Sequence, residues 1–311
     1  MKHVDIGICF LATLLLVMGC SKEEELCVEK EDEVKVSFKA RLDVALQTRS
    51  GGTPEIGKGG CVDVVKVAVY QKGEELSELR QVEHVIGGVA NVDVTLVKGQ
   101  TYDIAFWAQD YGCQAYSFDY AAAEIEVDYS NMSNNNDGSD AFFGSVRNFT
   151  VDGSFSKEVT LRRPFAQINV GSVLEDYQTA VTVNGLEVAC SSASFSGGVG
   201  NVLHLLTGSV TATDEAVSLP FGSCPTQLLS ANNTYYKYLS MNYLLVSDGT
   251  STGTEQAKTD VTFTFRDEGG NNSRTISISD LPVRRNYRTN VTGYILTAEN
   301  PEVTMQTITG E

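Results

Sequence analysis

Seven cysteines, three histidines and forty acidic side chains are the material for chemistry in this chain of 311 residues, and their spacing leaves most of it unused. No G-x-S-x-G, H-E-x-x-H, phosphate loop or dinucleotide fingerprint occurs, and no two cysteines stand at C-x-x-C or zinc spacing. His84 and His204 are single histidines, the second in the apolar run "VLHLL", where a packed core residue is the expected role. Ser133, Asn135, Asp137 and Gly138 echo the start of a calcium loop, but its twelfth position is Gly144 where a bidentate glutamate is needed. The stretch 128–140, "DYSNMSNNNDGSD", therefore reads as a solvated loop. A glycosidase carboxylate pair is defined by separation in space and has no sequence signature. Tyr235, Tyr236, Tyr238 and Tyr243, or Trp107 and Tyr111, are aromatic groups that either stack on sugar rings or fill strand faces. The expectation is a protein that is not an enzyme, with no cofactor and no metal.

One cysteine has a different context. Lys2 and His3 precede an apolar run from Ile6 to Met18, long enough for the core of a signal peptide and short of the roughly 20 residues that span a bilayer. Val17, Met18 and Gly19 then lead into Cys20, which resembles the bacterial lipobox, whose cysteine thiol receives diacylglycerol and whose new amino group is acylated after cleavage. Cys20 is thus the expected lipidation site, residues 1–19 the lipoprotein signal peptide, and several acyl chains together give stable anchoring. Residues 20–33 form an acidic tether: "SKEEELCVEKEDE" carries seven acids against two lysines, too charged to pack. Acids directly after the lipidated cysteine resemble the export signal of Bacteroidales surface lipoproteins, against the plainer reading of a generic hydrophilic spacer. Cys27, Cys61, Cys113, Cys190 and Cys224 remain; the number is odd, and small buried apolar residues are the expected role. The net charge of -17 opposes phosphate backbones, so nucleic acid is excluded as a partner.

The body that the tether carries is strand-like nearly throughout. Val34, Val36, Phe38, Ala40, Leu42, Val44 and Leu46 alternate with mostly polar partners, one apolar face on a strand over 34–46. "QTRSGG" breaks it with an open glycine-rich link. Strands follow over 62–71, on both sides of a Gly87-Gly88 hairpin turn, and in "TYDIAFWAQ"; a strand pair around 142–149 and 157–161 closes the first half. The second half repeats the style, with an aromatic-rich strand over 235–247, a hairpin of 261–265 with 274–279, and one helical candidate at 173–180. Short strands between turn signals predict an all-β fold of two antiparallel β-sandwich domains in tandem, 34–162 and 163–311.

Three segments carry a family likeness: "LVKGQTYDIAFWAQD" (96–110), "VTLRRPFAQINVGS" (159–172) and "LPVRRNYRTNVTGYILT" (281–297). In this order and over the length of the mature chain they resemble the Bacteroidales fimbrillin-like surface lipoproteins, the type V pilus subunits and their relatives. The resemblance implies two transthyretin-like β-sandwiches, an outer-membrane, cell-surface location, and assembly in which an arginine-specific protease removes the first strand and a neighbour's strand takes its place. On these residues the cut falls at Arg49, directly behind the long alternating strand. An edge left unpaired by its loss would be filled by β-augmentation from another fimbrial subunit. The plainer reading keeps 34–46 as a permanent strand and Arg49 as a loop arginine.

After Thr297 only "AENPEVTMQTITGE" remains, in which Val303, Met305 and Thr307 alternate as a short, partly polar donor. A stalk, a tip or accessory, and an anchor role that keeps lipid and first strand all stay open, as does the adhesive ligand. A different class of function, a surface glycan-binding lipoprotein of a polysaccharide uptake system, would show exposed coplanar aromatics on one sandwich face. A surface hydrolase would show two carboxylates in a cleft.

Overall fold

Alternating side chains and turn glycines make almost the whole chain extended, in a computed structural model that describes residues 32–44, 57–231, 233–246 and 257–309. Cys20 and Arg49 lie outside the described residues, as does Cys27. The strands run in chain order β1 (Glu33–Leu42), β2 (Val64–Gln71), β3 (Glu74–Glu75), β4 (Gln81–His84), β5 (Val89–Val97), β6 (Thr101–Gln109), β7 (Tyr116–Asp119), β8 (Glu124–Val127), β9 (Ala141–Thr150) and β10 (Phe155–Leu161). There follow β11 (Phe165–Ser172), helix α1 (Leu174–Asn184), β12 (Cys190–Ser196), β13 (Gly200–His204), β14 (Val210–Ala212), β15 (Val217–Ser223) and β16 (Leu228–Ala231). The last five are β17 (Thr234–Leu245), β18 (Ala257–Arg266), β19 (Ser273–Val283), β20 (Tyr287–Gly293) and β21 (Val303–Thr309). The all-β sandwich fold expected from the alternation is the one found.

One core lies between the sheet β10-β1-β5 and the sheet β3-β2-β6-β9, to which β4 also pairs through β2. Val65, Val67, Val69, Ile104 and Phe106 point into it, while the alternate residues Ala68, Tyr70, Ala105 and Trp107 point the other way, into a second core. Burial on both faces is why "AFWA" reads as a continuous apolar run rather than an alternation. The second core is enclosed by β16-β17-β11-β20-β21 and β15-β12-β18-β19. A small sheet, β14-β13-β8-β7, brings residues from before position 140 to it: Tyr116, Ile125, Val127, Tyr129 and Met132 are all buried there. The Tyr129 hydroxyl donates to Gly200 O at 2.7 Å and accepts from Leu245 N at 3.0 Å.

Five local expectations change. The first strand stops at Leu42 instead of 46, because its partners run out there: β5 begins at Val89, opposite Arg41, and β10 ends at Leu161, opposite Leu42. Strands β9 and β10 are not a pair but belong to different sheets, joined by a single bridge between Phe143 and Arg162. Residues 128–140 are only in part a solvated loop: Asn134, Ser139 and Asp140 are buried, the Asn134 amide donating to Ser191 and Ser240 and Asp140 pairing with Arg163. Of the four described cysteines, all free, Cys61 is exposed and Cys113, Cys190 and Cys224 are half-buried, so none is a fully enclosed core residue. The helix is longer than 173–180, and its buried Asp176 accepts from Leu296 N at 2.8 Å and Thr297 N at 3.0 Å, binding α1 to the segment after β20.

Candidate functional site

The sequence singles out the first strand, and the fold gives it an unusual position. Strand β1 is the middle strand of its sheet, parallel to β10 from Val36↔Phe155 to Leu42↔Leu161 and antiparallel to β5 from Glu33↔Val97 to Arg41↔Val89. Val36, Phe38, Ala40 and Leu42 turn inward, each at most 4% exposed. Phe38 meets Phe106, Phe149 and Phe155 edge-on, at centroid distances of 5.7, 6.2 and 6.2 Å. On the outer face Lys35 pairs with Asp93 at 2.8 Å and Arg41 with Glu158 at 3.0 Å, exposed ion pairs that contribute little to stability.

Burying a Val, Leu or Phe stabilises by roughly 1.5–3 kcal/mol each, so three such side chains make β1 worth on the order of 6 kcal/mol, comparable with a domain's whole net stability. Without β1, β5 and β10 would face each other across two strand spacings, roughly 9.5 Å, with ladder groups unpaired on both sides. That vacancy has the shape, the apolar lining and the hydrogen-bonding groups to accept one extended segment.

Beyond Val44 the chain is described again at Gly57, which is held firmly. Its amide donates to Asp137 Oδ1 at 2.7 Å, and its carbonyl accepts from Arg163 Nη2 at 3.1 Å and Arg288 Nη2 at 2.6 Å. Gly57 has φ +82°, and a Cβ there would stand 2.1 Å from Gln167 Nε2, a side chain that is itself buried. Arg163 is fixed in turn by Asp140, and its guanidinium lies 4.9 Å from the Phe142 ring centre. Burial works against the Arg163 charge, but Asp140 beside it prevails and holds the guanidinium protonated. Burial also pushes the Asp137 carboxyl up, reinforced by Asp140 and opposed by the Gly57 amide, the Tyr243 hydroxyl and Arg163. The Cys61 thiol donates to Asp137 Oδ2 at 3.8 Å and is pushed up to about 11 by burial and by that carboxylate.

Of the residues that echoed a calcium loop, Asn135 and Asp137 are occupied by protein partners, and Ser133 is exposed. Asn135 donates to Ser191 Oγ at 2.9 Å and Gly222 O at 3.0 Å and accepts from Met241 N at 2.7 Å; Asp137 accepts from Gly57 and Tyr243. Among the described residues no group of three or more His, Cys, Asp or Glu stands close enough to share a metal ion. His84 is exposed on β4, and His204 ends β13, half-buried. The aromatic candidates divide: Trp107, Tyr238 and Tyr243 are core, while the exposed aromatics among the described residues, Tyr111, Phe221, Tyr235 and Tyr294, stand on separate elements. The Gly57 cluster had no sequence signal beyond the arginines of "RRPF" and "NYRTN", which supply Arg163 and Arg288.

The segment after Thr297 ends in β21, an edge strand antiparallel to β20 from Tyr287↔Thr309 to Gly293↔Val303. Its Met305 is 41% exposed, and Thr307 meets Thr289 hydroxyl to hydroxyl at 3.1 Å.

Solved structures share this fold at low identity. A candidate cell adhesion protein from Bacteroides uniformis matches with a TM-score of 0.50 at 11% identity, covering 89% of this chain and 98% of its own. A candidate polysaccharide-binding protein from Bacteroides thetaiotaomicron gives 0.49 at 14%, covering 88% and 98%. The fimbrial anchor protein Mfa2 of Porphyromonas gingivalis gives 0.45 at 11%, covering 88% and 97%. No curated protein sequence matches. The model of a family of unknown function, DUF6562, matches residues 28–308, and the chain belongs to that family.

Proposed function

We propose that this protein is a non-enzymatic, lipid-anchored subunit of the bacterial cell surface that joins a fimbrium or its accessory apparatus by strand replacement and supports adhesion. Cys20 carries the lipid and places the precursor in the outer membrane, residues 20–33 hold the folded body away from it, and a cut at Arg49 by an arginine-specific protease releases both anchor and first strand. The fimbrillin-like segments at 96–110, 159–172 and 281–297 support this reading, and so does the cell adhesion description of the Bacteroides uniformis structure.

The observation that carries it is the position of β1. It is a central strand with four buried inward side chains, and the chain on the far side of Arg49 is anchored independently at Gly57. Two sandwiches, 34–162 and 163–311, belong to the same proposal, with Tyr116 to Met132 of the first stretch packed into the core of the second.

The test is the intact mass and gel-filtration profile of the chain from residue 21 on, before and after an arginine-specific protease. A discrete product beginning at Ser50 that then captures an added strand peptide is the expected result. A chain that resists cutting at Arg49, or keeps its first strand and ignores added strands, would remove the assembly role. Incorporation of labelled fatty acid, lost in Cys20→Ser, tests the anchor separately.

A further inference from the structure

The slot of β1 also specifies its occupant. Read inward, β1 presents a branched, an aromatic, a small and a branched side chain at alternate positions: Val36, Phe38, Ala40 and Leu42. Phe38 fills a recess walled by the rings of Phe106, Phe149 and Phe155, the last two packed on each other at 4.7 Å. Ala40 stands opposite Ala90 on one side and Val159 on the other and is 1% exposed, a closed position filled by a methyl group. A side chain without a ring would leave the recess partly empty, and a larger one at the Ala40 place would overpack it.

The chain's own edge strand does not meet this pattern. One face of β21 offers Val303, Met305 and Thr307, the other Thr304, Gln306 and Ile308. Neither contains a ring. Laid from its first residue, one face puts a hydroxyl at the small position, and the other puts an amide in the ring-lined recess and isoleucine over Ala90. In addition β21 is already engaged, paired with β20 over seven residues.

We infer that the strand which replaces β1 comes from a different protein and carries an aromatic residue two positions before a small one, and that the C-terminal strand of a second copy of this chain does not serve. This inference rests on the strand-replacement reading above.

The test uses the chain from residue 21 on, which keeps the whole compact unit Glu33–Glu311, with a site for a sequence-specific protease placed at residues 50–53, so that cutting does not depend on Arg49. After cutting, release of a fluorescently labelled first strand is followed by gel filtration while synthetic peptides are added in mild urea. A peptide of residues 33–42 is expected to displace the label. Its Phe38→Ala version should be weaker by at least about 100-fold. A peptide of residues 301–311 should fail at 100-fold higher concentration (about that ratio being what a lost buried ring costs), and its Met305→Phe, Thr307→Ala version should gain activity. Displacement by the unaltered 301–311 peptide within tenfold of the 33–42 peptide, or no penalty for Phe38→Ala, would overturn the inference while leaving strand replacement intact. If even the 33–42 peptide never displaces the label, β1 is permanent and both readings fall.

Discussion

Asp140 and Arg163 meet at two points, Nε to Oδ1 at 2.6 Å and Nη2 to Oδ2 at 2.7 Å, with side chains 0% and 2% exposed. The pair lies where the two cores approach, under Phe142 of the first and near Tyr243 of the second. Its second task is to hold out Nη2 toward the Gly57 carbonyl.

Breaking such a buried pair from one side strands the other charge and costs about 3–5 kcal/mol. Arg163→Met and Asp140→Leu are each expected to lower the unfolding free energy by that order. The double variant Arg163→Met, Asp140→Leu should recover part of the loss, because no charge is left stranded. Urea denaturation of the four proteins as a double-mutant cycle checks this, and additive losses would contradict it.

Asp137 has its folded pKa raised above the ordinary 3.8, burial being the first cause. The folded protein therefore binds more protons than the unfolded chain in the window between the two values. By linkage the Asp137 contribution is largest at the acid end, below 3.8, and is lost as pH rises through that window. Asp137→Asn keeps an oxygen for the Gly57 amide but cannot ionise, so the difference in melting temperature between variant and parent should grow in the variant's favour from acid to neutral pH. A constant difference from pH 4 to pH 7 would show that Asp137 is not the titrating group.

Cys61 is exposed, yet its thiol is pushed up to about 11 from an ordinary 9.0. At pH 8 the thiolate population is then about 100-fold lower than in an unperturbed thiol, with alkylation slowed to match. Mass spectrometry of iodoacetamide-treated protein should find Cys61 slow in the folded state and faster in Asp137→Asn, which removes the adjacent carboxylate. Equal rates in the two proteins would leave burial, with Asp110 and Asp140, as the cause.

Residues before the expected boundary at 162/163 serve the second core: β8 pairs with β13 through Val202↔Glu126, Leu203↔Ile125 and His204↔Glu124, and Tyr129 bonds Gly200 and Leu245. Expressed alone, residues 163–311 should bind a hydrophobic dye and lack a cooperative melt. Residues 111–311 should be closer to native by the same two measurements.

The legible parts of the fold were those with a local period. The alternation of Val34 to Leu42 named the first strand and its buried face, and two adjacent glycines named the turn at 87–88, where both take positive φ, although the expected hairpin reduces to the single bridge Ile86↔Val89 because β4 and β5 join different sheets. The strand's end was hidden because it is set by the reach of β5 and β10, strands 47 or more residues away. Composition misled at 128–140, since asparagine and aspartate bury where protein groups meet them, as the Asn134 amide does with Ser191 and Ser240 and Asp140 does with Arg163. The Gly57 cluster joins residues separated by 80, 106 and 231 positions, and no sequence pattern spans such distances.

The mixed pairing of β1 has one more consequence. Parallel ladders have evenly spaced slanted bonds and antiparallel ladders alternate narrow and wide pairs, so a strand seated backwards between β10 and β5 would meet the wrong pattern on both flanks. Under the proposed strand replacement, insertion is then one-way. Joints made like this are head-to-tail, and any filament that includes this subunit has a direction and two chemically unlike ends.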